Sequence, residues 1–332
     1  MPLEELLSIG RIVDPVIREY LARGASDPFK PIILHQFEAG GKRVRAALAI
    51  LSCEASGGSR SMGLNGAAFV ELIHNYSLLV DDIIDRGEVR RGLPTTRALY
   101  SDAMALLAAM FYRESLEELV EACRNPGEVR RIIVSTIKEL IEGERLDILM
   151  EQAGRGGYLE EKRLRSAGVR DYMYMIGKKT AALIKASCEI GCVEAGAPRD
   201  LRDALSKYGW SIGLAFQVVD DYLDIYGEET GKAKGKDIQE HKLGNIVILY
   251  ALEALPESMR SRLLSILSES TVSSEDLDEA LRLMDITDAK DRCRRLALRL
   301  VEEGKGSLSP LPDTDAKRGL LELADFIAYR TY

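Results

Sequence analysis

Cysteine and long apolar runs are both scarce in this chain of 332 residues. The five cysteines are odd in number and mostly lie in apolar surroundings, which excludes a disulfide framework and indicates reduced thiols. No apolar run approaches the roughly 20 residues that a bilayer-spanning helix needs. The acidic residues after Met1 do not form a signal-peptide pattern. The net charge of −8 argues against general nucleic-acid binding. We therefore expect a cytoplasmic protein without a transmembrane segment or a nucleic-acid partner.

The chain also lacks sustained strand alternation, low-complexity tracts and repeats of fixed period. Apolar residues instead recur at three- and four-residue spacing, among many Ala, Leu, Glu, Arg and Lys residues, which predicts helices almost throughout. The breaks are short and rich in turn residues, and none is long enough to be an interdomain linker. They fall at Ser56 to Ser59, Asn125 to Gly127, Gly154 to Gly157, Gly196 to Pro198 and Ser309 to Asp313. The sequence therefore predicts one all-α domain, residues 1–332, of about ten or more helices.

Two aspartate clusters of the same design are present, each after an apolar run. They are Asp81-Asp82-Ile83-Ile84-Asp85 and Asp220-Asp221-Tyr222-Leu223-Asp224. Positions i and i+4 share one face of a helix, so each cluster directs at least two carboxylates at one point. These like charges repel one another, and a hard divalent cation such as Mg²⁺, which readily shares substrate phosphates, would relieve that repulsion. A solvated acidic helix end is the alternative explanation for either cluster taken alone.

Basic and polar residues accompany the first cluster. His74, Ser77, Asp81 and Asp85 fall on one helical stripe, which is more typical of a cavity lining than of a core. Arg90-Arg91-Gly92-Leu93-Pro94-Thr95 follows at once, and paired arginines beside carboxylates suit shared phosphate oxygens.

Two further segments could bind anions, although each is a weak signal alone, and a third places polar residues inside an apolar helix. Gly40-Gly41-Lys42-Arg43-Val44-Arg45 opens a helix, but without the spacing of a P-loop. Gly231 to Asp237 carries three lysines, which either close over a diphosphate or lie on a charged surface loop. Lys179-Thr180 interrupts an apolar helix and requires a polar partner, while Gln217 faces the acidic end of the second motif helix.

In this order and spacing, the motifs resemble those of the trans-isoprenyl diphosphate synthase, or polyprenyl synthetase, family, over nearly the whole chain. The resemblance implies a roll of mostly antiparallel helices around a deep cavity, a homodimer, and condensation of isopentenyl diphosphate with an allylic diphosphate. It implies a cluster of up to three Mg²⁺ ions held by Asp81, Asp85, Asp220 and Asp224. The implied catalytic residues are these four together with Asp82, Lys179, Thr180, Gln217 and Asp221.

The same resemblance divides the binding residues between two substrates. It assigns the allylic diphosphate to Arg90, Lys179, Gln217, Lys232 and Lys242. It assigns isopentenyl diphosphate to Gly41, Lys42, Arg45, His74 and Arg91. The chain departs from the family pattern at Val80, where a polar residue is common, and at His241-Lys242-Leu243-Gly244, where Gly-Lys-x-Thr is common.

Tyr76 and Ser77 are the candidates for control of product length. Tyr76 precedes Asp81 by five residues, or about 7.5 Å along a helix axis, so its ring could form a floor for the growing chain. One aromatic there, without an insertion in the motif, resembles the geranylgeranyl (C20) type; an ordinary core tyrosine is the alternative. The rival interpretations are a farnesyl or longer-chain synthase, a partner subunit of a heteromeric synthase, a terpene cyclase and a helical scaffold. The repeated DDxxD and the second basic site favour a transferase.

Overall fold

The computed structural model describes residues 3–227 and 234–329 and is built almost entirely of helices. A five-residue π-helical turn, Gly177–Ala181, joins two of them. The α-helices are α1 Leu3–Arg11, α2 Asp14–Ala22, α3 Lys30–Glu38, α4 Val44–Ala55, α5 Arg60–Ile84, α6 Thr96–Tyr100, α7 Asp102–Val120, α8 Pro126–Leu149, α9 Tyr158–Lys162, α10 Val169–Ile176, α11 Ala182–Ala195, α12 Arg199–Tyr226, α13 Lys236–Gln239, α14 Ile246–Ala254, α15 Glu257–Ser268, α16 Ser274–Asp285, α17 Ala289–Ser307 and α18 Asp315–Tyr329. The predicted all-α class is confirmed.

Helix boundaries follow the local chemistry of the sequence. Ser59 caps α5 by accepting a hydrogen bond from the backbone N–H of Met62, and Asn245 caps α14 in the same way. Pro126 is the first residue of α8, where its missing N–H costs nothing. The predicted break at Ser56 to Ser59 separates α4 from α5 in the structure.

A two-stranded hairpin is the one sheet among the described residues. Strands β1 Val89–Arg90 and β2 Leu93–Pro94 pair antiparallel, with Arg90 opposite Leu93. The two turn residues, Arg91 and Gly92, both have positive φ, at 56° and 78°. That combination is the type I′ geometry preferred by tight hairpins.

The chain divides into two compact units, each assembled from several segments. The first unit comprises Met1–Ser135, Leu183–Ser206 and Leu308–Leu323. In it, α5 packs against α4 and α7, and nearly every residue of α4 is buried. The hydrophobic middle of α5 is buried as well, so the first aspartate motif extends from a rigid, packed helix.

The second unit comprises Thr136–Ala182, Lys207–Ser307 and Ala324–Tyr332. In it, α14 packs against α10, α16 and α17, and its first six residues are buried. The prediction of a single domain over residues 1–332 stays a prediction.

Two observations bear on the composition arguments. All five cysteines are free and buried, and Cys188 and Cys192 are core residues within the described chain. Across the described ranges, none of the helices combines the length and apolar character of a membrane span.

Candidate active site

The first aspartate motif closes the C-terminal end of α5, and its middle carboxylate binds an arginine. Asp82 is only 4% exposed. Nε of Arg90 donates to its two carboxylate oxygens at 3.0 and 3.1 Å, and Nη2 donates to Oδ1 at 2.8 Å. This bidentate contact fixes the plane of the guanidinium group. Asp82 is therefore buried and orients Arg90. The other two aspartates of the motif, Asp81 and Asp85, are partly exposed.

The hairpin brings five nitrogen-bearing side chains of the first unit near one another. This basic cluster consists of Arg43, Arg45, His74, Arg90 and Arg91. Burial, followed by the positive charges of the four arginines, lowers the pKa of His74 well below its usual range. The imidazole is therefore neutral near pH 7 and can donate one hydrogen bond without adding charge.

Gly41 leaves room for this cluster. A Cβ atom at this position would lie 3.0 Å from the guanidinium nitrogens of Arg91 and Arg43, and its φ of 142° is one that side chains rarely adopt. Lys42 beside it is exposed, and Arg45 lies partly buried in the first turn of α4. The structure thus brings four of the five residues predicted to bind isopentenyl diphosphate, Gly41, Arg45, His74 and Arg91, into one neighbourhood.

The two predicted chain-length residues lie in the middle turns of α5, and both are partly exposed. The hydroxyl of Ser77 donates to the backbone oxygen of His74 at 2.9 Å. Its polarity is therefore satisfied within the helix. Tyr76 keeps the five-residue separation from Asp81 along this continuous helix.

In the second unit, Lys179 and Thr180 lie on the π-helical turn. A π turn widens the helix locally and often marks a functional site. Neighbouring helices approach its backbone closely, since a Cβ at Gly143 would be 2.3 Å from the backbone nitrogen of Lys179. A Cβ at Gly213 would be 2.5 Å from Cα of Ala181. Two glycines therefore confine the turn that presents these side chains.

Acidic residues of α8 hold the amine of Lys179. Its Nζ lies 2.8 Å from Glu144 and 2.5 Å from Oδ2 of Asp147. Nζ of Lys242 lies 3.8 Å from the same Asp147 oxygen and 2.9 Å from Glu240. Although burial opposes ionisation, Lys179 and Lys242 keep the pKa of Asp147 below its usual value. Two lysines predicted to bind the allylic diphosphate thus meet at one buried carboxylate.

A chain of hydrogen bonds links Thr180 to the second aspartate motif. The Thr180 hydroxyl donates to Oε1 of Gln217 at 2.7 Å, and Nε2 of Gln217 donates to Asp221 at 2.9 Å. The other oxygen of Asp221 accepts from the backbone N–H of Ile246, at the start of α14, at 3.0 Å. Asp221, 4% exposed, therefore connects the π turn to α14.

The third aspartate of this motif caps α13. Asp224 accepts from the backbone N–H groups of Lys236 and Asp237, at 3.2 and 3.1 Å. Burial and the neighbouring Asp237 carboxylate raise the pKa of Asp224 to about 7. Asn245 donates to that Asp237 carboxylate at 2.8 Å. The predicted phosphate ligand Lys232 lies outside the described residues.

Several residues of this site were missed by the sequence analysis. Glu144 and Asp147 are one helical turn apart on α8, and that spacing of acidic residues within a helix was an available signal. Asn245 carried no comparable pattern, and Asp237 was noted only as the end of the Gly231 to Asp237 segment. Their roles depend on where α13 and α14 begin.

Metal ligation is not visible as a preformed cluster. No group of three His, Cys, Asp or Glu side chains within residues 3–227 and 234–329 is arranged to hold a metal ion. The four predicted magnesium ligands therefore remain predictions.

Comparison with known proteins agrees with these features. The family model for polyprenyl synthetases matches residues 27–284. The chain belongs to the polyprenyl synthetase family. As a member it is a trans-prenyltransferase, which confirms the reaction class predicted from the motifs.

Two archaeal relatives match this polyprenyl synthetase over nearly its whole length. It is 35% identical to a short chain isoprenyl diphosphate synthase of Methanothermobacter thermautotrophicus, over 99% of both chains. It is 32% identical to a geranylgeranyl diphosphate synthase of Methanosarcina mazei, over 99% of this chain and 98% of the relative.

Solved structures share the fold over the full length. A decaprenyl diphosphate synthase from Rhodobacter capsulatus superposes with a TM-score of 0.90 at 29% identity, covering 100% of both chains. A geranylgeranyl pyrophosphate synthetase from Pyrococcus horikoshii gives 0.87 at 32% identity, covering 98% of this chain and 99% of that one.

Proposed function

We propose that this polyprenyl synthetase condenses isopentenyl diphosphate with dimethylallyl, geranyl and farnesyl diphosphates, with geranylgeranyl diphosphate as the main product and pyrophosphate as the by-product. The observation that carries the proposal is that each unit holds its own set of basic side chains. The first is the basic cluster, and the second is the pair Lys179 and Lys242 on Asp147. Two sets suit a reaction between two diphosphates, whereas a cyclase has a single diphosphate substrate.

The residues of the first unit suit the acceptor substrate. Arg45, Arg91 and a neutral His74 offer charge and hydrogen bonds to a diphosphate, and Lys42 is exposed beside them. In this proposal they bind isopentenyl diphosphate. Arg90, held by Asp82, contributes to binding the allylic diphosphate instead.

The residues of the second unit suit the step that breaks the allylic carbon–oxygen bond. Lys179 and Lys242 stabilise negative charge on the leaving diphosphate. The Thr180 hydroxyl and the Gln217 amide place oxygen dipoles beside the carbocation that forms. The departing pyrophosphate accepts the proton, so the proposal needs no dedicated protein base.

We propose Mg²⁺ as the cofactor, held by Asp81, Asp85, Asp220 and Asp224. All four are oxygen donors, the type that Mg²⁺ prefers, and all four are partly exposed. Burial and the Asp237 carboxylate raise the pKa of Asp224 to about 7, and a bound cation would favour its ionised form. Bound Mg²⁺ would neutralise charge on the diphosphate leaving group.

The chain-length proposal rests on Tyr76. It lies on the same unbroken helix as the first motif, and the C20 product agrees with the archaeal geranylgeranyl diphosphate synthase among the relatives. Longer products remain an alternative because a heptaprenyl diphosphate synthase component 2 of Geobacillus stearothermophilus is 32% identical over 95% of both chains. That relative also keeps the partner-subunit alternative open.

We further propose a homodimer and a cytoplasmic location. Leu99, Leu106, Leu107 and Met110 lie on α6 and α7, and each is about half exposed. Exposed apolar residues on neighbouring helices are typical of an interface, and a second copy of the chain would bury them. Free, buried thiols suit a reducing compartment.

The test of function incubates purified protein with Mg²⁺, labelled isopentenyl diphosphate and each allylic starter in turn. Products are dephosphorylated and sized by chromatography. A dominant C20 alcohol supports both the condensation and the chain length. Another single length retains the condensation but overturns the C20 product, and no incorporation from any starter overturns the autonomous enzyme in favour of a partner subunit.

A further inference from the structure

Arg43 is the most buried of the three basic residues in the segment Gly40 to Arg45. Its side chain is 3% exposed. Nε donates to Asp14 at 2.8 Å, Nη1 to the backbone oxygen of Gly40 at 3.1 Å, and Nη2 to that of Phe37 at 3.1 Å. The guanidinium carbon also lies 4.6 Å from the centre of the Phe37 ring. Arg43 is thus bound on several sides and has little surface left for a substrate.

A second buried charge lies against it. Nη1 of Arg43 is 3.7 Å from Oε1 of Glu71, which is 2% exposed. Burial raises the pKa of Glu71, while Arg43, Arg45 and Arg91 oppose that rise. Oε2 of Glu71 accepts from the backbone N–H of Ala46 at 3.4 Å. Glu71 therefore joins Arg43 to the first turn of α4.

The positions of these two residues in the chain matter as much as their contacts. Arg43 is flanked by Lys42 and, two residues on, by Arg45. Glu71 lies one helical turn before His74 on α5, so the two side chains share a helix face. The Arg43–Glu71 pair thus connects the two chain segments that supply the proposed ligands of isopentenyl diphosphate.

The backbone at Arg43 is held in an uncommon conformation. Its φ of 52° is left-handed, a conformation that is unfavourable for a residue with a side chain. Gly10 of α1 packs directly against it, since a Cβ there would lie 2.2 Å from the carbonyl oxygen of Arg43 and 2.9 Å from its Cβ. Such strain persists where the surroundings fix the conformation.

We propose that Arg43 is a positioning residue for the isopentenyl diphosphate site. Its buried contacts with Asp14, Glu71 and Phe37 hold the left-handed turn that sets Lys42 and Arg45 relative to His74. The inference rests on the proposed function of that site, and it assigns no contact between Arg43 and either substrate. Removing the side chain would take a cation from beside the buried Glu71 and free the turn.

The test compares Arg43→Lys and Arg43→Gln with wild type in steady-state kinetics, varying each substrate separately. We expect the KM for isopentenyl diphosphate to rise on the order of tenfold or more, as for loss of hydrogen bonds to a charged group. The KM for geranyl diphosphate is expected to stay within about twofold of wild type, since Arg43 contacts Asp14, Gly40, Phe37 and Glu71, none of which is a proposed allylic ligand. Arg60→Gln, which removes an exposed arginine paired with Glu54, is the matched control and should change neither constant.

Two further variants guard against a failure of Arg43→Gln to fold. Asp14→Asn removes one partner whose side chain is 39% exposed, and should give a smaller rise of the same KM. Gly10→Ala changes no charge, but its added Cβ would clash with the Arg43 backbone, so the KM for isopentenyl diphosphate should also rise. Circular dichroism and Tm establish that each variant is folded.

Direct calorimetric titration with isopentenyl diphosphate tests the positioning role of Arg43 separately from the proposed condensation. Weaker binding by the folded variants, with selective KM effects, supports the positioning role. Equal increases in both KM values, or unchanged binding, would overturn it while leaving the proposed function intact. If wild type binds isopentenyl diphosphate and the variants do not, yet wild type forms no product, the condensation fails and the positioning role stands.

Discussion

Oδ2 of Asp147 lies 2.5 Å from Nζ of Lys179, and the carboxylate is buried on α8. Lys242 approaches the same oxygen at 3.8 Å. A single acidic side chain therefore holds two lysines that the family resemblance assigns to diphosphate binding. It holds both amines close together, so that under the proposed function a diphosphate would meet an arranged pair of basic groups.

Replacing this carboxylate should weaken both stability and allylic substrate binding. For Asp147→Asn we expect the free energy of unfolding to fall by about 1–3 kcal/mol, because hydrogen bonds to charged groups are lost in a buried place. The KM for geranyl diphosphate should rise roughly tenfold. Chemical denaturation and steady-state kinetics measure these effects. Glu142→Gln, on the same helix but with an exposed Arg145 partner, is the control, and equal behaviour of the two variants would contradict the role of Asp147.

The middle aspartate of the first motif should act through Arg90. Asp82→Asn replaces the carboxylate of this bidentate contact by a neutral amide, so Arg90 is less well oriented. We expect kcat/KM for the allylic substrate to fall by about 10- to 100-fold, equivalent to roughly 1.4–2.8 kcal/mol. Asp102→Asn disrupts an exposed pair with Arg97 and serves as the comparison. Wild-type kinetics in Asp82→Asn would show that Arg90 does not depend on this carboxylate.

Product length should respond to Tyr76. Tyr76→Ala removes the proposed floor on α5, and the main product is expected to become longer than that of wild type. Chromatography of the dephosphorylated alcohols measures this directly. Tyr158→Ala, at a tyrosine that is 70% exposed on α9, should leave the product unchanged. An unaltered product in Tyr76→Ala would mean that the ring is an ordinary packing residue.

Magnesium removal should abolish turnover without unfolding the protein. The packed helices that carry the aspartate motifs do not depend on a metal for their core, so circular dichroism should be unchanged in excess EDTA. Activity should return when Mg²⁺ is added back in excess. Turnover that persists at full rate in EDTA would exclude the proposed cofactor.

The assembly state should depend on the exposed apolar surface of α6 and α7. Leu106→Glu places a charge within it, which a buried interface would not tolerate, so light scattering after size exclusion should report a monomer. Leu298→Glu makes the same change at an exposed leucine of α17 and should leave the mass as in wild type. A wild-type protein that is already monomeric would contradict the homodimer.

Much of the architecture was predictable because it depends on local patterns. The three- and four-residue apolar spacing predicted helices, and the turn-rich segment at Ser56 to Ser59 fell between α4 and α5. The predicted break at Asn125 to Gly127 extended too far, because α8 already begins at Pro126. The family assignment was also predictable, since the two DDxxD motifs and the basic segments have a specific order and spacing, and the family match confirms it.

The different roles of the three aspartates within each motif were not predictable in this way. All three aspartates of a motif look alike in the sequence, yet Asp82 holds Arg90, and Asp221 joins Gln217 to the start of α14. These roles depend on which neighbouring element meets each carboxylate. The π turn at Lys179 likewise reflects the close approach of helices at Gly143 and Gly213.

The sequence by itself determined the helical class, the order of the motifs and the reaction family, because periodicity and spacing act over a few residues and can be read along the chain. Only the tertiary structure decided that Arg43 is enclosed by Asp14, Glu71 and Phe37, or that Asp147 holds both lysines. Most of these pairings join residues far apart in sequence. Their energies depend on burial and distance, which packing alone establishes.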